Sequence, residues 1–553
     1  MYSIQEFTVG EPPKKGLSYS KSDELEYAPH NMTWALDWSE VAVLDSNSEA
    51  LGVSQWELMQ AASEQLAGQV KKMLPDGGAV LFLCGPGNNG GDGFLAAANL
   101  IETSTSESVK YDVCILASHE SQKESSEISI RAREWAIASG VHITSWYSDF
   151  VDSSGSASNS RTISTFHPEL IVDTLLGSGA GEYGVELRGN IGEIVDWLVE
   201  QHWYPRAIKL ACDIPTGIGT KSCLIADTTI TFHAPKLQMK NNQNKVREDV
   251  GELIIVSLPW PDETLNPGPG DLKRYVPLNP HAVKGDRGRL LIIGGGPYHG
   301  APILSALGAL RVGCDLVHVA MPSLASQRVE WPVDVICEEI PDVGVLSLAS
   351  LEVLEKRMNS GRGIQALLIG PGLGKVESTK SAIECILGLC VKYKIPVVVD
   401  ADAISALPKD AWPLGLIGVA TPHPKELDSW LIRKNTDQLI ESIVNENGWF
   451  ANTKMSENFC LVKTGYVDEI TGLHNRKVTL EGGNPRMSVG GTGDVLAGII
   501  AGLLASGLRP WPAARIGCYL LRAAGEDAGA ELGPGMLAKD VPIYVSKLIS
   551  KLI

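Results

Sequence analysis

A glycine-rich segment near the carboxyl end of the chain has the residue types that phosphoryl transfer requires. Gly490-Gly491-Thr492-Gly493-Asp494 precedes an apolar stretch, residues 495–504, with the pattern of a helix. The glycines allow backbone N–H groups to approach a phosphoryl group, the helix N-terminus stabilises its charge, and Asp494 can accept a hydroxyl proton. An aspartate that only caps the helix is the simpler interpretation, but it does not account for the glycine and threonine residues before it.

A second glycine-rich segment, residues 85–93, follows an apolar run and precedes an alanine-rich helix predicted over residues 94–100. Such a turn exposes backbone N–H groups and favours a bound phosphate, although glycines alone could form only a tight turn. Asn88, Asn89 and Asp92 add oxygens that a turn does not require. The segment therefore predicts a nucleotide pocket.

Two further loops, residues 173–183 and 213–217, each begin with an aspartate after an apolar run. In open α/β sheets, ligands bind at the carboxyl ends of the strands. Asp173 and Asp213 are therefore candidate site residues. Capping of the following turn remains the alternative for both.

Short β-branched runs alternate with longer helical patterns in both halves of the chain, which predicts parallel sheets covered by helices. The predicted strands are residues 79–84, 170–173 and 208–213 in the first half, and 289–293, 366–369 and 396–400 in the second. Turn-forming residues fill the stretch 259–270. We therefore predict one domain over residues 1–260, a linker over 261–275 and a second domain over 276–553.

Bulk properties exclude several classes of protein. A formal charge of −18 argues against general nucleic-acid binding. The longest apolar stretch, residues 495–508, is shorter than the ~20 residues that cross a bilayer, and no secretory pattern is visible in residues 1–15. None of the ten cysteines has the spacing of a CxxC pair, which favours a reducing compartment. We expect a cytoplasmic protein without membrane or nucleic-acid partners.

The first half resembles the epimerase domain that acts on hydrated NADH and NADPH. The resemblance rests on the three loops above and on residues 44–47, 58–62 and 232–236. It implies that the hydrate is bound by Asn88, Asn89, Gly90, Gly91, Asp92, Gly177, Ser178, Gly179, Ala180, Gly181, Glu182, Tyr183 and Asp213. It also implies a potassium ion bound by oxygens of Asn89, Asp173 and Thr216, hard ligands that suit such a cation. Thr216 stands where the family more often has serine, and it keeps the hydroxyl.

Epimerisation at C6 of the hydrated ring breaks and remakes bonds at a carbon that carries both oxygen and nitrogen, so it requires positioned acid–base groups. Asp213 is the first catalytic candidate because it should lie at a strand end. Lys236 is the second, since Pro235 restricts the turn before it. A solvated surface lysine is the alternative interpretation of Lys236.

The second half resembles the ribokinase-like dehydratase family almost from end to end. The matching segments are residues 284–288, 294–302, 370–374, 400–403, 421–426 and 490–494. The resemblance implies substrate contacts at Ala301, Gly372, His423 and Asp494, and nucleotide contacts at Lys463, Gly465, Gly491, Thr492 and Gly493. His423 could instead be structural, because prolines on both sides make a rigid turn. Thr464 stands between Lys463 and Gly465, where the family usually has lysine followed directly by glycine, so Gly493 is the firmer contact.

Together the resemblances imply a Rossmann-like parallel-sheet domain followed by a ribokinase-like α/β domain, acting as a bifunctional repair enzyme. The epimerase interconverts the R and S hydrates. The dehydratase phosphorylates the C6 hydroxyl of the S hydrate with ADP or ATP and Mg²⁺, and the ring nitrogen then expels phosphate. We favour ADP, which would yield AMP and phosphate, because such fusions resemble microbial enzymes. A homo-oligomer is expected.

Two alternatives remain at this point. One is a ribokinase-like small-molecule kinase that carries a non-catalytic N-terminal binding module. The other is a non-enzymatic scaffold, because relatives of the first domain serve as binding modules. Intact Asn89, Asp173, Asp213 and Thr216 favour a working site.

Overall fold

The computed structural model describes residues 17–19, 35–106, 109–124, 126–146, 166–180, 184–243, 245–359, 361–431, 458–472 and 476–552. The chain divides into two compact units between Thr264 and Leu265. This division falls within the segment 261–275 that the sequence predicts as a linker.

The first unit contains an eight-stranded sheet of order β1-β8-β7-β6-β5-β2-β3-β4. The strands are β1 (Leu17–Tyr19), β2 (Gly78–Cys84), β3 (Tyr111–Ala117), β4 (His142–Ser145), β5 (Leu170–Thr174), β6 (Ile208–Cys212), β7 (Thr228–Phe232) and β8 (Glu252–Val256). All neighbours are parallel except β1, which is antiparallel to β8. The chain runs outward from β2 in both directions, so the strand order reverses between β2 and β5. This is the predicted Rossmann-like arrangement, and ligands bind where the order reverses.

Within the described ranges, this sheet is accompanied by the helices α1 (Trp38–Ala50), α2 (Gln55–Met73), α3 (Asn88–Ser106), α4 (Glu127–Ala138) and α5 (Gly189–Val199). A capping box defines the start of α2. The Ser54 hydroxyl accepts the Glu57 N–H at 3.2 Å, and the Glu57 carboxylate accepts the Ser54 N–H at 2.7 Å.

Helix α3 begins at Asn88, six residues earlier than the predicted start at residue 94. Glycines in the first turns of α3 allow neighbouring atoms to approach the helix backbone closely. A Cβ at Gly90 would lie 1.9 Å from the Gly85 carbonyl oxygen, and one at Gly93 would lie 2.2 Å from Thr174 Oγ1. The helix N-terminus therefore lies directly against the ends of β2 and β5.

The second unit contains a nine-stranded sheet of order β11-β10-β9-β12-β13-β14-β15-β16-β17. The strands are β9 (Arg289–Ile293), β10 (Leu316–Met321), β11 (Val335–Glu339), β12 (Ala366–Ile369), β13 (Val397–Val399), β14 (Gly418–Ala420), β15 (Phe459–Lys463), β16 (Asp468–Gly472) and β17 (Arg476–Leu480). The sheet is parallel from β11 to β15 and antiparallel from β15 to β17. Its strand order reverses between β9 and β12, in agreement with the predicted ribokinase-like α/β class.

The described residues of this unit form the helices α6 (Ala301–Arg311), α7 (Ser323–Ser326), α8 (Leu351–Asn359), α9 (Glu377–Tyr393), α10 (Pro424–Trp430), α11 (Thr492–Ala505), α12 (Pro510–Leu532) and α13 (Val541–Leu552). Helices α6 and α11 pack at very short range. A Cβ at Gly498 would lie 1.9 Å from the Ser305 carbonyl oxygen, and one at Gly491 would lie 2.3 Å from Leu304 Cδ1. The contacts between α6 and α11 advance along both helices in the same direction. The two helices are therefore parallel, and their N-termini lie side by side.

Part of the predicted linker is ordered structure of the second unit. Pro269–Arg274 forms a 3-10 helix, and the buried Asp271 carboxylate pairs with Arg515 on α12 at 2.5 Å. No helix within the described ranges is long and apolar enough to cross a membrane.

Two candidate active sites at the carboxyl ends of parallel strands

A cavity of about 580 Å³ lies at the point where the strand order of the first unit reverses. The ends of β2, β5 and β6 supply its polar side. Helices α1 and α2 supply much of its apolar side, and His233 stacks on Trp260 with ring centroids 3.3 Å apart. Trp260 was not predicted, because no motif links it to the loops it faces. His233 lies in the segment 232–236 that carries the resemblance, but the sequence assigned it no role.

Asp213 connects the loop 213–217 to the loop 173–183. It follows β6 directly with a left-handed backbone, φ 66°. Its Oδ2 accepts the Ser178 N–H at 2.6 Å, and its Oδ1 lies 3.2 Å from Lys236 Nζ. Burial favours the neutral acid, but the Lys236 charge and the Ser178 hydrogen bond outweigh it and lower the pKa of Asp213. Asp213 is therefore an ionised carboxylate that faces the cavity.

Lys236 is 1% exposed, so the interpretation as a solvated surface lysine is wrong. Besides Asp213, its ammonium contacts Thr231 Oγ1 at 3.0 Å, the Phe232 carbonyl oxygen at 2.9 Å and the Ala234 carbonyl oxygen at 3.1 Å. Four acceptors surround a group with three protons. Lys236 therefore fixes the charge and orientation of Asp213.

The first turns of α3 bring three polar side chains to the cavity, those of Asn88, Asn89 and Asp92. Asn88 Oδ1 accepts the hydroxyl of Ser126 at 2.8 Å. Both polar atoms of the Asn89 side chain are buried without a partner in the described part of the chain. Burial, followed by the charges of Asp213 and Asp45, raises the pKa of Asp92 well above its usual value.

The predicted segment 177–183 is described only as far as Ala180. Gly177, Ser178 and Gly179 line the cavity, and a Cβ at Gly177 would lie 3.0 Å from Asp213 Oδ2. Ala180 ends a short 3-10 helix. The predicted contacts Gly181, Glu182 and Tyr183 lie outside the described residues.

Asp173 and Thr216 form a buried pair. Asp173 Oδ1 accepts the Thr216 hydroxyl at 2.7 Å and the Leu175 N–H at 3.2 Å, and Oδ2 accepts the Thr216 N–H at 2.7 Å. The Thr216 hydroxyl in turn accepts the Leu176 N–H at 3.1 Å. Burial raises the pKa of Asp173 to about 6 against these hydrogen bonds. Asp173 therefore caps its own turn, and it also accepts hydrogen bonds from Thr216 in the loop 213–217.

Asp494 is the third residue of α11, whose N-cap is Gly491 at φ 102°. The interpretation of Asp494 as an N-cap is therefore wrong. Burial, followed by the charges of Asp402 and Glu426, raises the pKa of Asp494 to about 6. The helix presents Asp494 to other carboxyl groups at the strand ends.

Those carboxyl groups come from the loops after β13 and β14. The buried Asp400 accepts the Thr421 hydroxyl at 2.7 Å, and burial together with the Asp494 charge raises the pKa of Asp400 well above its usual value. Asp402 accepts the Gly374 N–H at 2.8 Å. Asp402 and Glu426 lie in the motifs that carry the resemblance, but the sequence alone assigned them no role. Among the described residues, no group of three or more His, Cys, Asp or Glu side chains is arranged to hold a metal ion.

The glycine loops of this unit meet at the same sheet edge. A Cβ at Gly372, φ 71°, would lie 2.1 Å from the Tyr298 carbonyl oxygen, which brings the β12 loop against the loop that leads to Ala301. A Cβ at Gly493 would meet no atom within 4 Å. The N-termini of α6 and α11 therefore face open space beside Asp494, an arrangement that favours an anion.

His423, Lys463 and Gly465 lie next to this edge. His423 is the exposed N-cap of α10, and its Nδ1 accepts the Lys425 N–H at 3.4 Å. The Thr464 N–H donates to Pro422 O at 3.1 Å, which joins the β15 end to the His423 loop.

The ends of β15 and β16 carry further ion pairs. Lys463 Nζ pairs with Glu469 at 2.5 Å, and the Gly465 carbonyl accepts an Arg522 N–H at 2.6 Å. Arg522, which no sequence motif indicated, also pairs with Asp468 at 2.7 Å.

Comparison with known proteins identifies both halves. Residues 55–238 match a family described as the YjeF-related protein N-terminus, and residues 290–547 match one described as NAD(P)H-hydrate dehydratase. A structure of ADP/ATP-dependent NAD(P)H-hydrate dehydratase from Bacillus subtilis, co-crystallised with ATP/Mg²⁺, is 23% identical, with a TM-score of 0.40, over 50% of this chain and 94% of its own.

Two relatives match this chain over about nine-tenths of its length. The bifunctional NAD(P)H-hydrate repair enzyme of Hyperthermus butylicus is 33% identical over 516 residues, which cover 91% of this chain and 90% of the relative. The enzyme with the same description from Pyrobaculum aerophilum is 31% identical, and the match covers 93% of this chain and 97% of the relative. This chain belongs to the family of bifunctional NAD(P)H-hydrate repair enzymes.

Proposed function

We propose that the first unit interconverts the R and S hydrates of NADH and NADPH, and that the second unit dehydrates the S hydrate at the expense of ADP. The observation that carries the proposal is the presence of two separate carboxylate sites. Asp213 is held ionised beside a cavity, and Asp494 lies at a glycine-rich helix N-terminus. Family membership over nine-tenths of the chain supports the pairing of these activities.

In the epimerase site, Asp213 takes the proton of the C6 hydroxyl, and Lys236 keeps Asp213 in the ionised form. The hydrate is bound by the loop 88–92, the loop 177–183 and Asp213. The 580 Å³ cavity suits a dinucleotide in size. Gly179 lines the cavity, and its backbone N–H is the group proposed to contact the substrate phosphates.

In the dehydratase site, Asp494 deprotonates or orients the C6 hydroxyl while the N–H groups of residues 491–493 hold the phosphoryl charge. Ala301, Gly372 and His423 contact the hydrate. Lys463, Gly465 and Gly491 to Gly493 contact the adenine nucleotide. Mg²⁺ would neutralise the nucleotide phosphates, and the carboxyl groups of Asp400 and Asp402, which both interact electrostatically with Asp494, are candidate hard ligands for it.

Asn89, Asp173 and Thr216 fit a potassium ion in part. The unpartnered Asn89 Oδ1 is an available ligand. Asp173 accepts three hydrogen bonds and Thr216 one, so each keeps a lone pair. A cation there would supply charge for the substrate phosphates.

Titration of potassium against sodium at constant ionic strength tests this site. We expect epimerase activity or affinity to depend on potassium, and Asp173→Asn to weaken that dependence most, because Asp173 would be the only anionic ligand. Identical curves for the two cations in the wild type would remove the potassium ion. A loss of stability without a change in cation response would leave Asp173 as a turn cap.

One assay tests the two activities and the nucleotide together. The protein is incubated with mixed R and S hydrates and either ADP or ATP. Dihydronicotinamide absorbance, released phosphate and the R/S ratio are then followed. We expect recovery of the dihydronicotinamide, with ADP the better donor. A phosphorylated hydrate that persists would instead indicate the small-molecule kinase. Homo-oligomeric assembly and a cytoplasmic location stay predictions, and sedimentation equilibrium would test the first.

A further inference from the structure

Epimerisation at C6 needs two proton carriers. When the bond between C6 and the ring nitrogen breaks, the C6 hydroxyl gives up its proton and becomes an aldehyde, while the nitrogen gains a proton. Rotation about the C5–C6 bond presents the other aldehyde face, and the reverse steps close the ring. No electron or proton is gained overall. One group must accept the hydroxyl proton while another donates to the nitrogen.

Lys236 is unsuited to the second role. Its ammonium lies among four oxygens, including Asp213 Oδ1 at 3.2 Å and the Phe232 carbonyl oxygen at 2.9 Å, and the residue is 1% exposed. All three protons are directed at the protein. A proton carrier must instead reach the substrate.

Asp92 lies in the first turns of α3 and lines the same cavity as Asp213. Its electrostatic surroundings are the opposite of those of Asp213. The carboxyl groups of Asp45 on α1 and Asp213 act on it, whereas Asp213 has the Lys236 ammonium and the Ser178 N–H. Two carboxyl groups in one cavity are less costly when only one is ionised.

We propose that Asp92 is the second catalytic group of the epimerase site and donates a proton to the ring nitrogen while Asp213 takes the hydroxyl proton. On ring closure, Asp92 recovers its proton from the nitrogen and Asp213 returns one to the carbonyl oxygen. The assignment rests on the proposed epimerase function and adds a residue to its mechanism. Different surroundings give two carboxyl groups in one cavity opposite roles.

The groups around Asp92 agree with a proton donor. Burial, then Asp213 and Asp45, raises the pKa of Asp92 well above its usual value. The other titratable groups that interact with it are the thiols of Cys84 on β2 and Cys212 on β6, whose pKa values burial raises, so both stay neutral. Asp92 is thus held as the acid while Asp213 stays ionised.

Asp92→Asn in the full chain tests the assignment, because asparagine keeps the shape and cannot transfer the proton. We expect epimerisation kcat to fall at least ~10²-fold and KM to change less than about threefold. The unfolding temperature should not fall, because asparagine replaces an uncharged carboxylic acid of the same shape. Asp92→Glu, which keeps a carboxyl group, should recover part of kcat. Asp76→Asn, an exposed carboxylate in the turn after α2, is the matched control.

Three results would overturn the assignment. They are a kcat within about threefold of the wild type, a loss confined to KM, or a lowered unfolding temperature with no recovery in Asp92→Glu. Failure of the wild-type protein itself to accelerate R-to-S conversion would instead contradict the proposed function. Circular dichroism and the unfolding temperature of each variant report whether the first unit is folded, and S-hydrate dehydration reports only on the second unit.

Discussion

At the scale of single residues, the charges around each carboxyl group decide what it can do. Asp213 lies beside the Lys236 ammonium and is held ionised. Burial, followed by the charges of two other carboxyl groups, raises the pKa of Asp494 to about 6. A general base works best with a pKa near the operating pH, and Asp494 meets that condition.

The surroundings of Asp494 predict that the dehydration activity depends on pH. Asp494 must be ionised to accept a proton, so activity should be full above its folded-state pKa and should fall as pH drops through about 6. Asp494→Asn should lower dehydration at least ~10²-fold and leave folding and epimerisation intact. The measurement is kcat/KM for the S hydrate as a function of pH.

The exposed Asp428 on α10 offers a matched control for Asp494. Asp428→Asn should keep both the rate and the acidic limb of the pH profile. Near-normal dehydration in Asp494→Asn would contradict the assignment of the base.

Asp213 allows a comparable test in the first unit. Asp213→Ala should abolish accelerated R-to-S conversion while S-hydrate dehydration continues, because the two activities belong to different sites. Asp213→Asn should lose the same activity with less loss of stability, since asparagine tolerates the left-handed backbone at φ 66° better than alanine. Equal loss of both activities would indicate global damage, and retained epimerisation in Asp213→Asn would remove Asp213 as the base.

The sequence predicted the loops that carry these residues, because glycines and aspartates after apolar runs mark strand ends. It did not predict which groups contact or act on these carboxyl groups. Asp402 and Glu426 act on Asp494 although many residues separate them along the chain. The burial of Lys236 likewise depends on how the ends of neighbouring strands meet. Such contacts follow from the tertiary fold, which local pattern does not contain.

At the scale of elements, six strands were predicted closely, and the start of one helix was not. The six predicted strands lie within about a residue of their observed ends. The start of α3 was predicted six residues late, because glycines disfavour helix interiors. Here packing outweighs propensity, since a side chain at Gly90 or Gly93 would collide with neighbouring loops.

The close contact between α6 and α11 predicts a strong stability effect. Gly498→Ala should lower the free energy of unfolding by about 1–3 kcal/mol, because its Cβ would lie 1.9 Å from the Ser305 backbone oxygen and one helix must move. Movement of α11 should also impair dehydration, since that helix carries Asp494. Urea denaturation and the dehydration rate give the two measurements.

Gly388 on α9 is the control for this substitution, because a Cβ there would meet no atom within 4 Å. Gly388→Ala should leave stability unchanged or raise it by up to about 1 kcal/mol. Equal effects of the two substitutions would mean that the helix contact at Gly498 is not stabilising.

At the scale of the whole molecule, two sheets reverse their strand order, and each reversal lies beside a candidate site. Alternating strand and helix patterns predicted this α/β class for both halves. The antiparallel strands β1, β16 and β17 were not predicted, because parallel and antiparallel pairing depend on connections that apolar pattern does not encode. The division between Thr264 and Leu265 lies where turn-forming residues accumulate.

Two sites in one chain predict complementation between single-site variants. With mixed R and S hydrates and ADP, the wild type should convert all of the hydrate, because epimerisation replenishes the S form as it is consumed. Asp213→Asn should dehydrate the S fraction rapidly and then slow to the uncatalysed rate of epimerisation. Asp494→Asn should equilibrate the hydrates without forming dihydronicotinamide.

An equimolar mixture of the two variants should restore complete conversion, because hydrate released by one chain can diffuse to the intact site of another. Dihydronicotinamide absorbance and the residual R/S ratio follow the time course. A mixture of Asp213→Asn with the wild type at equal total concentration is the control for diluted epimerase sites. If the variant mixture stops at the S fraction while each variant keeps its own activity, the two reactions do not exchange a free intermediate, and independent action of the two sites is wrong.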